Sequence, residues 1–510
     1  MLTRKNLLLL GFICLKVALQ YFLINPEYQL HRDEYLHLDQ AHHLAWGYLS
    51  VPPVTSWVSY LIFLLGNGVF WVHFFPALFG ALTLLVVWKT IETLGGNLYA
   101  LVLGAVTILF SVLLRLNLLH QPNSLDVLLW TTLYFTLVKY IKSENPKWLY
   151  WAAVSFALGF LNKYNIAFLV VGLLPALLLS PQRRVFANKH LYFSLALALL
   201  LISPNLIWQY THDFPVVTHM NELARTQLVN VQRTGFLKEQ LLYFIGSIYV
   251  ILAAFIAFFI YPPFTRYRIF FWAYVFTLGT FVYLRAKGYY AIGLYPIFIA
   301  FGSVYLEYLL QSGWRRYLRP LPLLLPVLIM IALIPVILPT ESPAEIHRNA
   351  ARYEALGLLR WEDGKNHDLP QDFADMLGWK ELAHKVDSTN ALVEGKGRTL
   401  VLCDNYGQAG AINFYSKNND LHAISLNADY IDWIDLYTPI ENLILIQDAT
   451  DTDKGREREK PFFDRIRLTG EIENRFAREQ GTRIYLLENA KVDVNKILRQ
   501  EVYNKKHGKD

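Results

Sequence analysis

The sequence predicts a polytopic α-helical membrane protein that ends in a soluble α/β domain. Hydrophobic residues make up 54% of the 510-residue chain and charged residues only 17%, whereas soluble domains carry about a quarter charged. Apolar windows of about 20 residues, the length a helix needs to cross a bilayer, recur as far as Pro339. Beyond that proline the composition turns charged and short β-type runs appear. Aromatic residues reach 15%, which suits interfacial belts. The net charge of +6 reflects basic cytoplasmic loops and gives no reason to expect nucleic acid. Of the two cysteines, Cys14 falls in the first apolar segment and Cys403 in the tail, so no disulfide is expected between them.

The first apolar run, 6–24, follows Arg4 and Lys5 and lacks a small-residue cleavage site, so it reads as an uncleaved anchor. Further windows fall at 69–92, 98–116, 125–142, 148–162, 165–180, 191–208, 239–260, 269–284, 290–309 and 320–339. Together these make about eleven spans. Basic residues collect on one side: Lys139, Lys142 and Lys147, Arg183 and Arg184, Arg266 and Arg268, and Arg315, Arg316 and Arg319. The positive-inside rule makes that side and the N-terminus cytoplasmic. An odd span count then puts the loop 26–66 and the tail outside. Residues 1–339 are thus expected to form the membrane domain and 340–510 a periplasmic α/β domain.

Arg32, Lys163, Arg225, Arg233, Arg285 and Lys287 break the charge rule, and an anionic ligand is the natural explanation. Within the first external loop, residues 36–49 have amphipathic helical spacing and read as a helix lying in the interface, with 54–66 as a second one. The loop 209–238 is polar and long enough to cover a substrate. In the tail, 399–403, 443–447 and 483–487 read as strands, and 371–386 and 407–416 as helices.

The chemistry-bearing groups gather in a few stretches. Asp33 and Glu34 open a helical pattern; acids there suit the helix dipole, and a carboxylate at a low-dielectric boundary also suits proton abstraction. His31, His37, His42 and His43 are close by, without a metal-ligand spacing. Asp126 lies just inside a span, where an ionisable group normally faces a cavity. Lys163 sits in a short external turn and would snorkel if it had no other task. The stretch YLRAKGYYAIGLYP sets Arg285, Lys287, Tyr289, Tyr290 and Tyr295 beside a span, a composition fit to clamp phosphate. Acids and phosphate-binding cations on one side of a bundle imply transfer from a lipid-linked phosphate donor to a hydroxyl.

In HRDEYLHLDQAHHLAWGYLSVPP, QPNSLD, LNKYN, KGYYAIGLYP, LPQDFADMLGW and YGQAGAINFYS the chain resembles the GT-C glycosyltransferases. Within them it is most similar to bacterial relatives of protein O-mannosyltransferases and lipid A aminoarabinose transferases. The resemblance implies a GT-C membrane domain in a bacterial inner membrane and a polyprenyl-phosphate sugar donor. It also implies reaction at the periplasmic face with inversion, and a protein, lipid A or glycan acceptor. It makes Asp33 the catalytic carboxylate, Glu34 its neighbour and Asp126 the second acid, and places Lys163, Arg285, Lys287, Tyr290 and Tyr295 near the donor phosphate. A divalent metal ion beside the acids is left open, and no other cofactor is implied. Leu49-Ser50-Val51-Pro52-Pro53 stands where the family commonly has Tyr-Asp-His-Pro-Pro, so an acid and a histidine of that loop are missing. The rival readings are a transporter or flippase of lipid-linked sugars, for which no pseudo-symmetric halves are visible, and a scaffold subunit.

Overall fold

In the computed structural model, which describes residues 3–226, 228–418 and 420–506, the chain divides into two units. One comprises Met1–Leu23, Ala45–Val58 and Asn67–Leu338; the other comprises Ile24–Leu44, Ser59–Gly66 and Pro339–Asp510.

The first unit is helical. Among the described residues, four helices are long and apolar enough to cross a membrane: Arg4–Phe22, Val69–Leu94, Lys189–Thr211 and Gly313–Ile337. Three further helix pairs meet the same test jointly but are bent, the sharpest joining Ile166–Leu178 to Pro181–Ala187 at 105°. Several windows read from the sequence correspond to shorter helices, because prolines and polar turns interrupt them. Leu98–Leu109 stops at Phe110, and the chain turns through a single helical turn before Pro122 opens Pro122–Ser143. Proline at a first helical position costs no hydrogen bond, since that amide has no intrahelical acceptor.

The core of this unit is aromatic. Trp88, Trp130, Tyr134, Phe270, Phe298 and Phe301 are all essentially inaccessible, while leucines such as Leu199 and Leu200 face outward, as lipid contact requires. Gly302 lets Pro296–Leu309 lie directly on Ile248–Ile260, for a Cβ there would collide with the Val250 carbonyl oxygen. A buried lysine ties the first helix to the break before Pro122. Lys16 Nζ donates to Gln20 Oε1 at 2.6 Å and to the Leu113 carbonyl at 3.0 Å, and Gln20 Nε2 donates to the Leu114 carbonyl at 3.0 Å.

The second unit is built on a five-stranded sheet of order β2-β1-β3-β5-β4, with β1 Thr399–Cys403, β2 Ala423–Ser425, β3 Asn442–Gln447, β4 Phe463–Glu471 and β5 Arg483–Ala490. β1 pairs in parallel with β2 and β3, whereas β5 runs antiparallel to β3 and β4. The three strands read from the sequence are present. β2 is too short to show a period, and β4 alternates Arg465 and Arg467 outward to meet Glu488. Leu400, Leu443, Leu445, Phe463, Leu487 and Leu498 form the apolar layer on one face. The segment Ile24–Leu44 belongs to this unit: its helix, Arg32–Asp39, packs against Tyr406–Tyr415. This helix starts before the amphipathic stretch 36–49 read from the sequence and covers only its first four residues. It gives way to a 3₁₀ turn at Gln40–His42, and its apolar side chains Tyr35, Leu36 and Leu38 are buried in protein.

Gly302→Val is expected to destabilise the helical unit by about 1–3 kcal/mol through overpacking, read as a lower melting temperature of the full chain in detergent.

Candidate active site

In the helical unit, the start of Pro122–Ser143, the turn after Lys147–Asn162 and the 3₁₀ turn Gly288–Leu294 come together. Asp126 is buried. Its Oδ1 accepts from Trp130 Nε1 at 2.9 Å, one helical turn further on, and its Oδ2 accepts from Asn165 Nδ2 at 3.1 Å. The same Asn165 amide donates to the Tyr290 carbonyl at 2.8 Å, so one side chain fixes both the acid and the tyrosine turn. Lys163 caps the end of its helix and reaches Asn123 Oδ1 at 2.7 Å. Its ammonium lies 4.5 Å from the Tyr290 ring centroid and 5.0 Å from that of Tyr289. Asp126 attracts it and Lys287 repels it. Two lysines that feel each other across an aromatic-walled turn form a charge arrangement that an anion would complete.

The other members of the expected phosphate set lie differently. Arg285 adopts a left-handed backbone, φ 54°, and donates to the Val229 carbonyl at 3.4 Å. The Tyr295 hydroxyl is committed to Gln240 Oε1 at 3.1 Å and to Tyr274 at 3.4 Å inside the apolar core.

In the sheet-containing unit, His31 caps the helix Arg32–Asp39, its Nδ1 accepting from the Asp33 amide at 3.3 Å. Glu34 completes the capping box: it is fully buried, and one carboxylate oxygen accepts from the His31 amide at 2.7 Å. Glu34 is therefore committed to the helix start, worth about 1 kcal/mol. Asp33 points elsewhere. Its side chain is 39% exposed, and Oδ1 accepts from the Tyr406 hydroxyl at 2.7 Å. Partial burial pushes its pKa up, but the His31 ring, the Tyr406 hydrogen bond and the Arg32 charge outweigh that and hold it below the usual carboxylate range. At the far end of the helix, Asp39 Oδ2 accepts from Tyr430 at 2.5 Å and from Asn413 at 2.7 Å. Burial there prevails over both hydrogen bonds and raises its pKa to about 7.

The histidines are spent one by one. His42 packs edge-on against Phe63 and His43 stacks on Trp433 at 4.2 Å, with burial lowering the latter's pKa to about 4. His37 bonds Gln40. His31, Asp372 and Asp375 do present ligand atoms within 4.8 Å of one another. Arg478 already pairs with Asp375 at 3.1 Å, so positive charge is supplied there by the chain itself, and the group is an ion-pair cluster.

The chain is similar to several known proteins. Residues 50–208 match the family model described as dolichyl-phosphate-mannose-protein mannosyltransferase. Over 223 residues the chain is 29% identical to the lipid A galacturonosyltransferase RgtD of Rhizobium johnstonii. That alignment covers 43% of this chain and 46% of the relative, about half its length. The crystal structure of ArnT from Cupriavidus metallidurans bound to undecaprenyl phosphate superimposes over 95% of this chain and 98% of its own, with a TM-score of 0.61 at 11% identity. The apo form gives a TM-score of 0.59, also at 11% identity, over the same shares of both chains. Over nearly its whole length, then, the chain has the fold of the ArnT structures, and residues 50–208 are similar to the mannosyltransferase family model.

In the helical unit, Asp126, Lys163, Lys287 and Tyr290 are brought into one neighbourhood. Sequence reasoning missed Asn165, whose amide has no motif of its own beyond its place in LNKYN. It also missed Tyr406, which lies in YGQAGAINFYS and carries no signal until its helix is seen against Arg32–Asp39.

Asp39 gives a pH-dependent signature. A carboxyl raised on folding stabilises the fold below its unfolded pKa of about 4 and loses that advantage as pH climbs through about 7. Relative to wild type, Asp39→Asn should therefore gain in melting temperature across that window and hold a constant offset outside it.

Proposed function

We propose that this chain is a membrane glycosyltransferase that moves a sugar from a polyprenyl-phosphate donor to a hydroxyl acceptor. We further propose an inverting reaction at the periplasmic face of a bacterial inner membrane, with the N-terminus cytoplasmic. The observation that carries this reading is the Lys163 site: a lysine held by Asn123, walled by Tyr289 and Tyr290, and faced by both Asp126 and Lys287. Few ligands suit such a turn better than a phosphate ester. The ArnT fold shared over nearly the whole chain supports the choice, since the solved relative is bound to undecaprenyl phosphate. By the similarity to a lipid A galacturonosyltransferase, lipid A or a related envelope glycan is the acceptor we favour.

The chemistry is a single displacement. The acceptor oxygen bonds to the anomeric carbon as the bond from that carbon to the phosphate oxygen breaks, and the acceptor proton passes to Asp33. The leaving phosphate departs as an anion, which Lys163 and Lys287 stabilise by electrostatic preorganisation. Arg285, two residues before Lys287, adds to the positive field, and Tyr295 supports the turn from within the core. Asp126 keeps Asn165, and through it the Tyr290 turn, in place. General-base assistance is worth about 10²–10⁴-fold.

With purified protein, a polyprenyl-phosphate sugar and lipid A, Asp33→Asn should lower turnover by about 10²-fold or more while the protein still binds donor. Lys163→Ala should weaken donor binding and leave the melting temperature within a few degrees of wild type. Normal turnover in Asp33→Asn would remove the assignment of the base. Unchanged donor affinity in Lys163→Ala would remove that of the phosphate site.

A further inference from the structure

We propose that Tyr406 is a positioning residue for Asp33, holding that carboxylate in one orientation. The inference rests on Asp33 as the proton-accepting group.

Several observations converge on the pair. The Tyr406 hydroxyl donates to Asp33 Oδ1 at 2.7 Å, a charge-assisted bond at the short end of its range. The Arg32 guanidinium lies 4.6 Å over the Tyr406 ring, so the ring is clasped by the residue adjacent to the one its hydroxyl holds. Tyr406 is itself immobilised from behind. It opens the helix Tyr406–Tyr415, whose cap Asn405 accepts from the amides of Gly407 and Gln408 at 2.9 and 3.1 Å. The buried Glu479 then accepts from Gln408 at 2.6 Å and from Asn405 at 3.3 Å. A catalytic constellation held to a fraction of an ångström needs this kind of supporting layer.

The approach of the two helices is made possible by glycines. A Cβ on Gly410 would stand 2.7 Å from Tyr35 Cβ and 2.6 Å from the Tyr430 hydroxyl, and one on Gly407 would stand 3.2 Å from Arg32 Cβ. Both helices thus meet at backbone distance along a shared line. The contact at Tyr430 and Asn413 secures the other end of Arg32–Asp39 through Asp39.

Stability alone does not account for the Tyr406 bond. A hydrogen bond to a carboxylate 39% open to solvent adds little to folding, because water competes for the same oxygen. Its main effect is to limit the rotamers of Asp33, and to do so from a partner more than 370 residues away in the chain. The charged and titratable groups that face Asp33 are His31, Arg32 and His37 from its own segment and Tyr406 from the opposing helix.

The test uses full-length enzyme in detergent or vesicles with donor and acceptor. Tyr406→Phe keeps the ring and its contact with Arg32 and removes only the hydroxyl. It should lower kcat about 10- to 100-fold, the scale of a displaced catalytic group, with the donor KM and the melting temperature near wild type. Tyr430→Phe removes the comparable bond to Asp39, away from the reacting carboxylate, and should lower the melting temperature with kcat unchanged. Wild-type kcat in Tyr406→Phe overturns the proposal, as does a loss of kcat in both variants in proportion to lost stability. Loss of turnover in Asp33→Asn beside an unaffected Tyr406→Phe overturns the positioning role alone. Full turnover in Asp33→Asn overturns the base assignment beneath it.

Discussion

An ionisable group inside an apolar helical bundle has no water to fall back on, so it must be matched by another part of the chain. Much of the helical unit can be read as the working out of that constraint. Asp126 is matched by Trp130 from its own helix and by Asn165 from the next turn, and Lys163 by Asn123 and two aromatic faces. Each match joins segments distant in the chain, and the same bonds that make burial tolerable also set where a charge stands. The polar cluster is thereby tied together by its own hydrogen bonds.

Glu34 and Asp33 show how neighbouring carboxylates are given different tasks. Helix geometry turns Glu34 back onto the helix start, where it is buried and bonded to the His31 amide. Asp33, one residue earlier, points away from that box and remains partly open to solvent. The His31 ring, the Tyr406 hydroxyl and the Arg32 guanidinium act on Asp33 strongly enough to offset its burial. Sharing a dipeptide does not mean sharing a role.

Much of this was legible in the residues. The apolar windows, the change of composition after Pro339 and the strands at 399–403, 443–447 and 483–487 follow from patterns that local physics dictates. So does the gathering of Asp126, Lys163 and the tyrosine turn, since each breaks the rule for its surroundings and calls for a partner. What escaped depends on contacts far apart in sequence. Residues 36–49 looked amphipathic enough to lie on a membrane, yet the helix there ends at Asp39, Leu36 and Leu38 are buried in protein, and the neighbouring Tyr35 packs on Trp379 and Phe414. β4 was not among the strands read from the sequence, because its arginines find Glu488 only once the strands are paired. Tyr295 looked like a ligand-facing hydroxyl, and only packing reveals its commitment to Gln240.

The lysine at position 16 has a consequence for how the chain is made. Its carbonyl partner at Leu113 lies 97 residues downstream, so during synthesis the first helix is complete long before that acceptor leaves the ribosome. Until the break before Pro122 is made, Gln20 of the same helix is at hand for the lysine, whereas the bond to Leu113 that ties this helix to the rest must wait.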